Sequence, residues 1–164
     1  VIPSAIISSM LGSLNGYILA KWKFRGSDVI FPLILFGMFI PYQSILIPLV
    51  QFMRAIGFTG LFGLSLAHII YGIPITTLTF RNYYASLPQE LLEAAKMDGA
   101  DMLGIYRHIL LPISIPSFVV VLIWQFTSAW NDFLFAVVLT GNRSWPITVA
   151  LNNMAGSQII SRIV

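Results

Sequence analysis

The chain has 164 residues, 57% hydrophobic and only 9% charged, with a mean hydropathy of +0.86, where a soluble domain carries roughly 25% charged residues. A soluble domain of this size buries only about two thirds of the surface its unfolded chain exposes, so lipid has to cover the remainder and the chain reads as a membrane protein. The net charge of +3 comes from nine Lys and Arg spread singly, without the basic patch that nucleic acid needs. Zero cysteines exclude a disulfide framework, a thiolate metal site and a cysteine nucleophile, and with only His68 and His108 no metal site is expected.

Val1 opens directly into an apolar run, with no initiating Met and no basic stretch before it, and the chain stops where another hydrophobic segment could begin; it reads as a fragment at both ends. A membrane helix needs about 20 mostly apolar residues. Uncharged runs of that kind cover 1–20, 29–53 between Asp28 and Arg54, 55–80 between Arg54 and Arg81, and 109–131 between His108 and Asp132, the last prolonged by the apolar stretch 133–139. The expected fold is all-α: a polytopic transmembrane helical bundle forming one domain, with spans at about 1–20, 29–50, 60–80 and 109–138 and a cytoplasmic loop at 81–108. Pro3, Pro32, Pro41, Pro48, Pro74, Pro112 and Pro116 lie in or beside these spans and are expected to kink them.

Basic residues orient such a bundle. Lys21, Lys23 and Arg25 in the 21–28 loop, with Arg81, Lys96 and Arg107 in the 81–108 loop, put both loops on the cytoplasmic side. Arg54, Arg143 and Arg162 fall on the other.

The 81–108 loop is a polar island with Glu90, Glu93, Asp98 and Asp101. Ser86 and Gln89 have capping-box spacing, and "QELLEAAKM" consists of strong helix formers. Gly99 suits the left-handed turn at a helix C-terminus, Asp101 can cap a second short helix, and Pro112 ends it. On the first helix Leu91, Ala94, Ala95 and Asp98 are spaced to share one face, the small alanines allowing close approach of another surface. An amphipathic helix lying on the inner leaflet would put Lys or Arg on its polar face, whereas residues 86–101 carry those four acids and only Lys96.

Glu93-Ala94-Ala95, then Gly99, Ile109, Leu111 and Pro112, resemble at every fixed position the EAA motif of permease subunits of bacterial ATP-binding-cassette importers. The wider wording, "RNYYASLPQELLEAAKMDGA" followed by "WNDF", is similar to the carbohydrate branch and to the maltose-type second permease in particular, from about residue 11 to 154. The resemblance implies that this loop is a coupling helix seated in a cleft of a cytoplasmic ATPase subunit, with Glu93, Ala94, Ala95, Asp98, Gly99, Ile109, Leu111 and Pro112 as the coupling residues. It implies a heterodimer with a second permease, two ATP-binding subunits that hold ATP and Mg, an extracytoplasmic sugar-binding protein, and a location in the cell's inner or plasma membrane. This chain is expected to bind no cofactor of its own and to catalyse nothing; it has no GxxxxGK[ST] phosphate loop. "VALNNMAGS" resembles importers of glucose or other monosaccharides.

Asp132, near the outer end of a span, has two readings. With Trp130 and Asn131 it forms part of a translocation pathway for a sugar; otherwise Trp130 belongs to an interfacial aromatic belt and Asp132 caps or pairs at the interface. His68, beside Tyr71, is read as hydrogen-bonding a neighbouring helix, as are Asn15, Gln43, Gln125 and Thr127. Segment 143–153 is expected to turn at Ser144, Trp145 and Pro146 and continue as a re-entrant or surface stretch. An ion-coupled secondary transporter would need ionisable residues in mid-span, where only His68 is available, and an intramembrane enzyme would need paired carboxylates or a metal-ligand cluster.

Overall fold

The computed structural model describes residues 1–22, 24–140 and 146–163, with side chains as far as residue 155. Lys23, Arg143, Ser144, Trp145 and the side chain of Arg162, all used above, lie outside the described residues. Within them the fold is all-α, as expected.

Helix α1 (Ile2–Lys21) lies parallel to the 27-residue α4 (Gly60–Ser86), which at 1.5 Å per residue is about 40 Å long. A stripe of small residues makes that pairing possible: Ser4, Ser8, Gly12 and Gly16, one every four residues, are all buried. A Cβ on Gly12 would overlap the Thr76 side chain, and one on Gly16 would lie 2.7 Å from the Arg81 nitrogen. In lipid, where apolar side chains gain little by associating, such close backbone approach is what holds helices together. The Thr76 hydroxyl adds to it, lying 3.2 Å from the Ser8 carbonyl of α1 and 2.9 Å from the Gly72 carbonyl of its own helix.

The expected span 29–50 takes the form of two helices. α2 (Ser27–Phe36) runs on through a 3₁₀ turn, Gly37–Phe39, and then bends by 99° into α3 (Tyr42–Ala55). Pro41 explains the break: it has no N–H to continue the helix, and its ring pushes the preceding residue out of the helical region, leaving Ile40 extended at φ −79°, ψ 113°. α3 ends at Gly57, φ +78°.

After α4 come α5 (Gln89–Met97) and α6 (Met102–Ile113), the latter containing a π-turn at Tyr106–Leu110. α6 bends by 76° into α7 (Ile115–Asn131), followed by α8 (Leu134–Leu139) and α9 (Ile147–Ile163). The stretch expected to be re-entrant or superficial is thus a regular helix from Ile147, its first turn accepted by the Pro146 carbonyl. Among the described residues α1 and α4 are each long and apolar enough to cross a membrane, and there are up to four crossings if each bent pair is one span.

Two cores hold the bundle. One gathers Tyr17, Phe80, Tyr84, Leu92, Ala95, Ile105, Tyr106 and Leu110 at the α5–α6 end; the other gathers Val50, Met53, Leu64, Ala67, Phe135 and Leu139 at the opposite end. Large apolar side chains elsewhere point outward, as at Leu33, Phe39, Ile47, Val120 and Ile123, the pattern of helices surrounded by lipid or a partner rather than water.

Two local expectations are corrected. Ser86 does not cap α5: it is the last residue of α4, and its hydroxyl donates to the Tyr83 carbonyl at 2.7 Å, while Pro88 occupies the N-cap position. A free carbonyl at the end of a long helix was the nearer partner. Thr127 does not bond another helix; its hydroxyl donates to Ile123 one turn back.

Candidate functional site

The polar loop folds as a helix, a glycine turn and a second helix. α5 carries Glu90 in its first turn and Lys96 in its last, both suited to the helix dipole. Its end is a Schellman turn: the Ala100 N–H donates to the Ala95 carbonyl at 3.0 Å, the Gly99 N–H to the Lys96 carbonyl at 3.0 Å, and Gly99 takes φ +81°. Asp101 then caps α6 as expected, Oδ1 accepting from the Gly104 N–H at 2.8 Å. The loop is fastened to the end of α1, because Lys21 Nζ donates to the Leu87 carbonyl at 2.6 Å and Lys96 Nζ sits 4.7 Å from the centre of the Trp22 ring.

The motif residues divide between two faces. Glu93, Ala94, Asp98 and Gly99 are exposed, together with Met97, 89% exposed. Ala95 is buried at 6% against the bundle core, and Leu91 is half-covered. The single face drawn through Leu91, Ala94, Ala95 and Asp98 is therefore split: Ala95 seats the helix on its own bundle and Ala94 faces out. Ile109 and Leu111 are half-buried beside the same core, and Pro112 is exposed. Ile109 falls within the π-turn, whose wider winding precedes a proline that cannot donate to the helix.

Beneath the loop runs a chain of buried hydroxyls that the sequence did not signal. Tyr106 donates to Ser13 at 3.0 Å, Ser13 meets Tyr84 at 2.7 Å, Tyr84 donates to Ser114 at 3.1 Å, and Ser114 donates to the Leu111 carbonyl at 3.0 Å. Tyr17 stacks on Tyr106 with ring centroids 5.7 Å apart, and its hydroxyl donates to the Met102 carbonyl.

A second place of interest is a cavity of about 420 Å³ between α1, the start of α3, α4, α7 and α8. Asn131 and Asp132 line it, with His68, Tyr71, Trp124 and Gln125. Gln125 Nε2 donates to Ser8 on α1, the interhelix bond expected of it, and Gly72 makes room for that bond because a Cβ there would overlap both side chains. His68 Nε2 lies 3.5 Å from Asp132 Oδ2, and Asp132 Oδ1 accepts from the Phe135 N–H at the start of α8. The pairing and capping reading of Asp132 and its place beside a cavity thus coincide. Trp130 does not line this cavity; it stacks on Phe126 at 5.5 Å and borders a smaller one of about 130 Å³.

An apolar helical bundle with a polar cavity between its helices and a braced helical loop at one end is the build of a membrane transport component. Residues 12–163 match the family described as binding-protein-dependent transport system inner membrane component, and the chain belongs to that family. It is a membrane protein of a transport family, which sets aside the ion-coupled secondary transporter.

Among its relatives, a probable ABC transporter permease protein of Pyrococcus horikoshii is 53% identical over 145 residues, 87% of this chain and 53% of that one. A xylose/arabinose import permease protein of Haloferax volcanii is 42% identical, covering 95% of this chain and 58% of that one. A glucose import system permease protein of Saccharolobus solfataricus is 32% identical, covering 96% and 58%. A solved bacterial ABC transporter involved in the import of the acidic polysaccharide alginate superposes with a TM-score of 0.65 at 26% identity, over 85% of this chain and 52% of that one. The chain spans about half the length of the curated relatives it matches.

Proposed function

We propose that this chain is the membrane-spanning permease part of an ATP-driven carbohydrate importer, for a monosaccharide such as glucose, working as a heterodimer with a second permease. Two ATP-binding subunits on the cytoplasmic side hold ATP and Mg, and an extracytoplasmic sugar-binding protein delivers the substrate. The chain crosses the inner or plasma membrane several times, with loops 21–28 and 81–108 in the cytoplasm.

The observation that carries this reading is the α5–α6 loop. It is turned by Gly99, braced on α1 through Lys21 and Lys96, and leaves Glu93, Ala94, Met97 and Asp98 facing outward. A rigid knob of this kind fits a cleft in an ATPase subunit; Ala94 permits close approach, Glu93 offers a charge to a basic partner, Ala95, Ile109 and Leu111 seat the knob on the bundle, and the exposed Pro112 follows the π-turn. Closure of the ATPase subunits on ATP then tilts the helices between inward-facing and outward-facing forms, past a pathway that includes Asn131 and Asp132 with Trp130 at its edge. The printed roles of the xylose/arabinose and glucose relatives support a sugar as cargo.

The test is uptake of labelled sugars into vesicles that contain the full-length protein with its partners, loaded with ATP and clamped without an ion gradient. Gly99→Val forces a β-branched residue into a left-handed conformation at about 1–2 kcal/mol, and Ala94→Asp puts a charge where close approach is needed. Each is expected to lower uptake at least tenfold and to abolish stimulation of the ATPase by sugar-loaded binding protein. Wild-type uptake and stimulation in both variants would count against the proposal.

A further inference from the structure

Arg81 sits on α4 five residues before its loop-side end at Ser86, about 8 Å along the axis, and its backbone nitrogen abuts Gly16 of α1. The hydrocarbon of a bilayer takes up about 30 Å of a helix about 40 Å long. The last turns at either end therefore lie in the polar interface, and Arg81 falls near the boundary. Trp22, which closes α1 on the same side, suits that level, where indole rings collect.

The guanidinium is held but not answered. Its Cζ stands 3.9 Å from the centre of the Phe31 ring on α2, so the ring covers one flat face and leaves the N–H groups around the edge to find acceptors. Among the described residues they find none: no carboxylate lies within 4 Å, that of Asp28 on α2 included. Nε is closed off and can serve no outside group, whereas the two terminal nitrogens remain open as one edge of a planar fork.

The surroundings decide what the fork takes. α2 exposes Val29, Ile30, Leu33 and Phe36, a surface for hydrocarbon rather than water. A dissolved anion has to leave water to travel along it; an amphiphile carries its anionic group there on chains that match it. A phosphodiester offers the paired oxygens that a guanidinium fork binds bidentately. Arg25, exposed in the turn before α2, and Lys21 at the end of α1 add positive charge on the same side, outweighing Asp28, as in the basic segments that draw anionic lipid.

We infer that Arg81, backed by Phe31, is a binding site for an anionic phospholipid of the leaflet on the α5–α6 side, with the phosphate on the terminal guanidinium nitrogens and the acyl chains along α2. The site needs a membrane and no particular cargo, so it stands or falls apart from the carbohydrate reading.

Native mass spectrometry of the purified, fully assembled transporter, stripped of lipid in detergent and titrated with dioleoylphosphatidylglycerol or dioleoylphosphatidylcholine, tests it. The wild type is expected to retain phosphatidylglycerol about fivefold more tightly than phosphatidylcholine, the weight of one basic residue at an anionic surface. Arg81→Gln should lose that preference and hold one phosphatidylglycerol fewer per copy of this chain. Arg81→Lys, which keeps the charge but not the fork, should fall between them, and Arg54→Gln, which removes an exposed Arg at the far end of α3, should match the wild type. Phe31→Leu keeps the Arg and removes its support; a preference reduced about twofold is expected, and this variant decides the matter where Arg81→Gln fails to assemble. Equal retention of the two lipids by the wild type, or an unchanged preference in Arg81→Gln and Phe31→Leu, overturns the site. So does displacement of phosphatidylglycerol by inorganic phosphate, which would mark a site for free anions.

Discussion

The hydroxyls of Ser13 on α1 and Tyr84 on α4 meet 2.7 Å apart in the buried interior, although 71 residues separate them in the chain. They are the middle of a directed series that enters from Tyr106, the first residue of the π-turn, and leaves through Ser114, where α6 bends into α7. Tyr106 gives the first hydrogen, and Ser13, Tyr84 and Ser114 each receive one and give another, so each bond supports the next.

Removing the Tyr84 or the Tyr106 hydroxyl by substitution with Phe is expected to cost about 0.5–1.5 kcal/mol each. Because both tyrosines bond Ser13, the double variant should depart from the sum of the single ones, as residues of one network do. Thermal unfolding in detergent of the wild type, both single variants and the double variant measures this; strictly additive losses would mean that the hydroxyls act separately.

Gly12→Ala should disturb the bundle more than its size suggests. The added methyl meets the Thr76 side chain and the Thr76 backbone, so α1 has to move away from α4, at about 1–3 kcal/mol for overpacking. A lowered midpoint of thermal unfolding is the expected result, with Gly12→Leu failing to give folded protein. A wild-type midpoint for Gly12→Ala would show that the two helices do not pack as tightly as described.

Asp101→Ala removes the cap of α6 and should cost about 1 kcal/mol, while Asp101→Asn, which keeps an accepting oxygen, should cost far less. Amide exchange at Gly104, whose N–H the carboxylate accepts, is expected to speed up in the alanine variant alone.

What the sequence disclosed was local. Gly99 and Asp101 act over a few residues, through rules that link one side chain to a nearby backbone group, and both stand where that logic puts them. Ser86 obeyed the same kind of rule but had two acceptable partners, and the end of α4 offered the closer one. The serine and glycine stripe on α1 was present at four-residue spacing and was open to reading as a helix contact. Pro41 showed that a break was coming, but its 99° angle depends on what α3 packs against. The tyrosine series has no local signature, since Tyr106 finds Ser13 across 93 residues. The cavity was half legible: His68 and Tyr71 lie three residues apart on α4, but nothing nearby in the chain announces that Asp132 would meet them.

The interlocked backbones of α1 and α4 have a mechanical consequence. With Gly12 and Gly16 nested against Thr76 and Phe80, and Lys21 tied to Leu87 at one end, sliding or splaying of one helix against the other is opposed, and the 20 residues of α1 make with α4 a twin beam about 30 Å long. In the importer reading proposed above, a displacement applied where α5 is bolted to it passes along the beam with little absorbed on the way. It arrives at the far mouth, beside Ser4 and Tyr71, as a swing of the whole beam.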